Sequence, residues 1–110
     1  MQQLTIRNIK TESRPQTKAL FWHLFVGTRG GNTRVRIISK LKNTPSNKNQ
    51  LSQDLQIDYK GIEHHLKTLE ENHMVTKMGE KYGTTYFVSP LFEDGELVFN
   101  EIVEKLEKNR

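Results

Sequence analysis

From Leu51 to Leu69 the apolar residues fall at helical intervals: Leu51 and Leu55 lie four apart, and Ile62, Leu66 and Leu69 follow at i, i+4, i+7. Such spacing puts each set on one side of a helix. Two short helices joined at Gln56-Ile57-Asp58 have the pattern of a helix-turn-helix. Ser46 or Asn47 caps the first, Asp58 caps the second, and Asn72 ends it. After Asn72 the period drops from 3.6 to 2. MVTKM (74–78) and TTYFV (84–88) flank GEKYG, which predicts a β-hairpin closed by Pro90.

The remaining elements are also helical. Ser13 and Gln16 have capping-box spacing, Pro15 suits a first turn, and a helix from about residue 14 to Val26 stops at Gly27. Leu20, Phe21, Trp22, Leu24, Phe25 and Val26 wrap more than one stripe of it, so it needs cover on two sides. One side is its own core; for the other, a second subunit is favoured over burial beneath the C-terminal helix. The run GTRGGN (27–32) lacks phosphate-loop spacing and follows no strand, so it reads as a helix stop with Asn32 capping the next helix. That helix reaches about Lys42, burying Val35, Ile38 and Leu41 with Ile37 beside them, while Arg34, Arg36, Lys40 and Lys42 line its outer side. Asp94 caps a last helix in which Phe99, Ile102, Val103 and Leu106 repeat at i, i+3, i+4, i+7. Its other face carries the pairs Glu101–Lys105 and Glu104–Lys108 in the favourable order. Residues 1–12, with Leu4, Ile6 and Ile9, read as a short strand or part of an arm, or equally as a disordered segment.

Composition narrows the function. At 110 residues and 34% hydrophobic content the chain is one small domain with a modest core, which adds weight to a partner subunit. There is no cysteine, which excludes disulfides and thiolate metal ligands. No basic segment followed by a long apolar core opens the chain, and the apolar cluster 19–26 falls short of the ~20 residues that span a bilayer. A soluble, cytoplasmic protein without membrane contact is expected. Net charge is +4 but unevenly spread: residues 1–60 hold 11 Lys/Arg against 3 Asp/Glu (+8), residues 61–110 hold 6 against 10 (−4). A basic front half suits a polyanion.

Candidate binding chemistry collects on the helix-turn-helix. Tyr59, Lys60, Glu63, His64 and Lys67 face away from Ile62, Leu66 and Leu69 and can reach a nucleic-acid major groove. Lys60 suits a phosphate or a guanine edge. Glu63 either accepts from cytosine N4 or, the favoured role, pairs with Lys67 at i,i+4. His64 should point out and His65 partly in, as a structural residue with a hydrogen-bond partner. Ser46, Asn47, Lys48, Asn49 and Gln50 present small polar groups at a helix N-terminus, suited to phosphate oxygens. Lys81 and Tyr82 at the hairpin tip, with Lys77 nearby, suit the adjacent minor groove or backbone. Arg29 and Arg34 either add backbone contacts or solvate their helix. The histidines show no metal-ligand spacing and no catalytic motif stands out, so no metal, cofactor or enzymatic activity is expected.

The order helix, helix, helix, hairpin, helix resembles the ArsR-like winged helix-turn-helix regulators. LFVGTRGGNTRVRIISKL, NQLSQDL, DYKGIEHHLKTLEENHMV and KYGTTYFVSP carry the likeness over about residues 27–90. TRGGNTR together with DYK, HHL, YG and YF looks like an archaeal subgroup. The resemblance implies a homodimer on a roughly palindromic operator. Gln56 departs from the family's usual glycine at the turn, where a left-handed backbone costs more. Gly61 sits inside the second helix, either for close approach to a sugar-phosphate backbone or by neutral drift. The family's cysteine-based metal sensing is unavailable to this chain.

The expected fold is therefore mainly α with a small antiparallel hairpin, a single winged-helix domain over 1–110. Residues 1–26 form an arm and apolar helix, 27–90 the winged helix-turn-helix, and 91–110 a C-terminal dimerisation helix. Phe21, Trp22, Phe25, Phe99, Ile102, Val103 and Leu106 are the candidate dimer residues. The expected function is a sequence-specific, double-stranded-DNA-binding transcriptional regulator, a dimeric repressor associated with the nucleoid. A winged-helix module for protein–protein assembly and a nonspecific architectural DNA binder are the alternatives.

Overall fold

The computed structural model describes residues 14–108. The expectations for Leu4, Ile6 and Ile9, and for Ser13 as a cap, lie outside those residues. α1 (Pro15–Trp22) begins on an extended Arg14, with Pro15 in its first turn, and continues as a π-helical turn over His23–Gly27. α2 spans Gly31–Asn43, α3 Lys48–Leu55 and α4 Tyr59–Glu71. The strands β1 (Val75–Met78) and β2 (Thr85–Val88) pair antiparallel, with Lys77 opposite Tyr86, around a 3-10 turn at Lys81–Gly83. α5 (Pro90–Asp94) and α6 (Glu96–Lys108) complete the described chain. This is the mainly helical, hairpin-bearing winged-helix arrangement read from the pattern.

Local chemistry sets most boundaries. Asn47 caps α3 in a capping box: its side chain accepts from Gln50 N at 2.8 Å while Gln50 Oε1 accepts from Asn47 N at 2.8 Å. Asp58 caps α4 through Gly61 N at 3.1 Å, and Asn72 ends it. Gln56, between the two, is left-handed at φ 56°. The N-cap of α2 is Gly30 rather than Asn32. Gly30 has φ 88°, and a Cβ there would stand 2.5 Å from His65 Cε1, so a larger residue is excluded by both backbone and space. Ser46 exchanges backbone hydrogen bonds with Tyr86 (2.8 and 3.3 Å), which ties the α2–α3 connection to the wing.

The largest departure from the sequence pattern is α5. Asp94 does not cap the last helix; it ends a short one that Ser89 caps through Phe92 N at 3.0 Å. α5 inserts Phe92 between the first and last helices, where its ring stacks on Phe21 at 5.7 Å and meets Phe99 edge-on at 5.1 Å. Phe25 meets both Phe21 and Phe99 edge-on. As a result Phe21, Phe25, Phe99 and Ile102, expected at a dimer interface, are buried in the chain's own core at 0–1% exposure. Trp22, Val103 and Leu106 pack against that core but stay partly exposed. Lys105 lies over the Trp22 ring (5.2 Å) instead of pairing with Glu101, while Glu104–Lys108 forms as expected at 3.3 Å.

The left-handed Gln56 yields a stability prediction. A non-glycine residue there costs roughly 1–2 kcal/mol, and glycine's greater freedom in the unfolded chain offsets about half. Gln56→Gly should therefore stabilise the protein by about 0.5–1 kcal/mol, read as a raised urea midpoint with an unchanged m-value.

Candidate nucleic-acid interface

Ile62, Leu66 and Leu69 are at 0–1% exposure, so one side of α4 is fully seated on the core. Successive residues turn by about 100°, which leaves Tyr59, Lys60, Glu63, His64 and Lys67 exposed. An open recess of about 530 Å³ runs between this face, the start of α3 and the wing, lined by Lys48, Lys60, Glu63, His64, Lys67, Glu70, Lys77 and Tyr86. A second, of about 230 Å³, continues to the hairpin tip past Asn47, Asn49, Tyr59, Lys81 and Thr84. Lys48, Lys77 and Tyr86 line both. The fold thus gathers cationic side chains from α3, α4 and the wing along one surface.

Ten of the sequence candidates share this surface: Asn47, Lys48, Asn49, Tyr59, Lys60, Glu63, His64, Lys67, Lys77 and Lys81. Ser46 does not. It is 2% exposed, and its hydroxyl donates to Thr44 O at 2.9 Å because the connection is locked to Tyr86. Gln50 spends its side-chain carbonyl on the capping box. Of Tyr82 only the backbone lies among the described atoms. Glu63 pairs with Lys48 at 3.1 Å rather than with Lys67, and Lys77 pairs with Glu70 at 3.2 Å. Burial opposes the charge on Lys48, but the Glu63 hydrogen bond, with Tyr86, the Glu63 charge and Tyr59, outweighs it and holds the ammonium pKa above the usual lysine value. Glu70 and Tyr86 were not chosen from sequence. Nothing local marked Glu70 or Tyr86, which line the recess only once the wing packs beside α4.

Behind this face lies a buried cation. Arg34, expected on the outer side of α2, is 4% exposed. Its Nε donates to Leu24 O at 2.8 Å in the π-helical turn, its Nη2 to Thr28 Oγ1, and its Nη1 lies 3.3 Å from His65 Nδ1. Since a guanidinium only donates, Nδ1 must accept and the His65 proton sits on Nε2. All three partners are neutral, and burial lowers the Arg34 pKa. Burial first, then the charges of Arg34 and His64, also hold His65 below its ordinary value of 6.5. His65 therefore has the structural role expected of it, partnered by an arginine that the helical pattern had placed outside. Among the described residues no three His, Asp or Glu side chains are grouped to hold a metal, and no helix is long and apolar enough to cross a membrane.

Residues 31–77 match the family described as bacterial regulatory protein, arsR family. The helix-turn-helix is arsR-like. No curated protein matches the chain. Among solved structures, reduced HlyU from Vibrio cholerae is similar at TM-score 0.60 and 20% identity, over 83% of this chain and 90% of that one. A probable transcriptional regulator from Pseudomonas aeruginosa is similar at TM-score 0.65 and 16% identity, over 99% of this chain and 81% of that one. Rv0081 from Mycobacterium tuberculosis has TM-score 0.62 and 18% identity, over 89% and 98%. These likenesses show a shared fold.

The arsR-like segment runs from the start of α2 to the third residue of β1. It holds the Lys48–Glu63 and Lys77–Glu70 pairs and the Arg34–His65 bond, while the second strand and the hairpin tip lie beyond it. The His65 pKa is depressed in the folded state, so the neutral ring contributes stability above the unfolded value near 6.5, and that contribution is lost as pH falls through the lowered value. Acidifying from pH 7 should therefore destabilise the wild-type chain more than His65→Gln, whose amide oxygen still accepts from Arg34 and cannot be protonated. Urea titrations at several pH values compare the two slopes; parallel slopes would remove the assignment.

Proposed function

We propose that this chain is a sequence-specific, double-stranded-DNA-binding transcriptional regulator. The observation that carries the reading is the exposed row Lys60, His64 and Lys67 on a helix whose opposite side is core, with Lys48 and the wing lysines Lys77 and Lys81 alongside. A helix so placed presents its first turns to the major groove, and the lysines of α3 and the wing lie where phosphates flank that groove. The arsR-like segment supports the same assignment. We further propose an archaeal-type, cytoplasmic, nucleoid-associated repressor, with the bound dimer occluding a promoter. The half-buried Trp22, Val103 and Leu106 support a dimer, since a second copy would complete their burial.

Selection of bound duplexes from a random pool tests specificity and half-site spacing together; an unenriched pool defeats the regulator reading. Lys60→Ala with Lys67→Ala should weaken duplex binding and flatten the plot of log K against log salt by about 1.8, or about 0.9 for each phosphate no longer neutralised. An unchanged slope would remove α4 from the interface. Val103→Glu should convert a sedimenting dimer to a monomer with its helical circular dichroism retained, and a wild-type monomer would dismiss the dimer.

A further inference from the structure

We propose that Glu63 and Glu70 are resident counter-charges on the nucleic-acid face, engaging Lys48 and Lys77 in the free protein and so weakening attachment to bare phosphate backbone. The inference rests on the DNA-binding reading above and names what makes that binding selective. The two glutamates are seven residues apart on α4, within about 20° of one another around the helix. Each reaches a different neighbouring element: Glu63 to Lys48 at the first residue of α3, Glu70 to Lys77 in β1. By contrast, among the described residues Lys60 and Lys67, on the outward ridge of the same helix, make no ion pair. The surface therefore separates lysines ready for phosphate from lysines already neutralised.

Stability does not account for the arrangement. All four side chains are 28–49% exposed, and exposed pairs contribute little to folding. For binding the consequence is larger. A phosphate that takes Lys48 or Lys77 leaves a carboxylate facing DNA, which holds back a cation from solution and cancels the counterion release that drives nonspecific attachment. A base edge with a donor, such as cytosine N4, satisfies a displaced carboxylate, whereas the sugar-phosphate backbone offers none. The pairs thus penalise random duplex more than a matched site.

The experiment titrates a random-sequence 30-base-pair duplex into the full chain across a salt series, for wild type, for Glu63→Gln with Glu70→Gln, and for Glu104→Gln. The double variant frees two lysines on the face, so its slope should steepen by about 1.8 and its affinity at 0.15 M salt should rise about 30-fold, with an unchanged urea midpoint. Glu104→Gln frees Lys108 on α6, which packs on α1, and should bind as wild type does. A double-variant slope equal to wild type overturns the proposal, as does an equal steepening in Glu104→Gln, which would mark a net-charge effect. Wild type that binds no duplex at any salt defeats the DNA-binding reading itself, an outcome distinct from normal binding with an unaltered slope.

Discussion

The burial of Ile62, Leu66 and Leu69 decides the rest of the molecule's working surface. Full burial of each is worth about 1.5–3 kcal/mol, against roughly 0–1 kcal/mol for an exposed ion pair. The azimuth of α4 is therefore set from its core side, and the outward position of Lys60, His64 and Lys67 follows from helix geometry. The carboxylate pairs to Lys48 and Lys77 sit on the flank between these two faces. They are too weak to orient the helix, but they stand where they alter the charge it shows.

The same seating explains why Arg34 is buried. The loop 28–30 folds back between the π-helical turn and α4, with Gly30 against His65 and the guanidinium beneath. One side chain thereby joins Leu24, Thr28 and His65, linking the π-helical turn after α1 to α4 without a carboxylate. A charge in this setting is tolerable because every partner supplies an acceptor, and after burial it is the next cause that lowers the His65 pKa. Displacement of the π-helical turn would be felt by α4 through this contact.

At the opposite end, the four-phenylalanine cluster changes the meaning of the apolar first helix. Its second apolar stripe suggested a partner subunit, yet Phe92 from α5 and Phe99 from α6 cover it within one chain. What remains for a second copy is a narrower strip around Trp22, Val103 and Leu106. The apolar pattern reported the need for cover but could not say which segment supplied it. Pro90 read as a hairpin end, and a five-residue helix is too short for periodicity to reveal.

By itself the sequence determined the helix-turn-helix, the wing, the cap at Asp58 and the outward row on α4, and it narrowed the other cap to Ser46 or Asn47. Each depends on residues within a few positions of one another, where spacing maps directly onto geometry. Only the tertiary structure decided that Arg34 faces inward to His65, that Glu63 chooses Lys48 over Lys67, that Glu70 and Tyr86 join the surface, and that Phe21, Phe25, Phe99 and Ile102 belong to one chain's core. Those outcomes depend on side chains distant in sequence competing for the same partner. Helical period assigns a residue to a face but does not say what that face will meet.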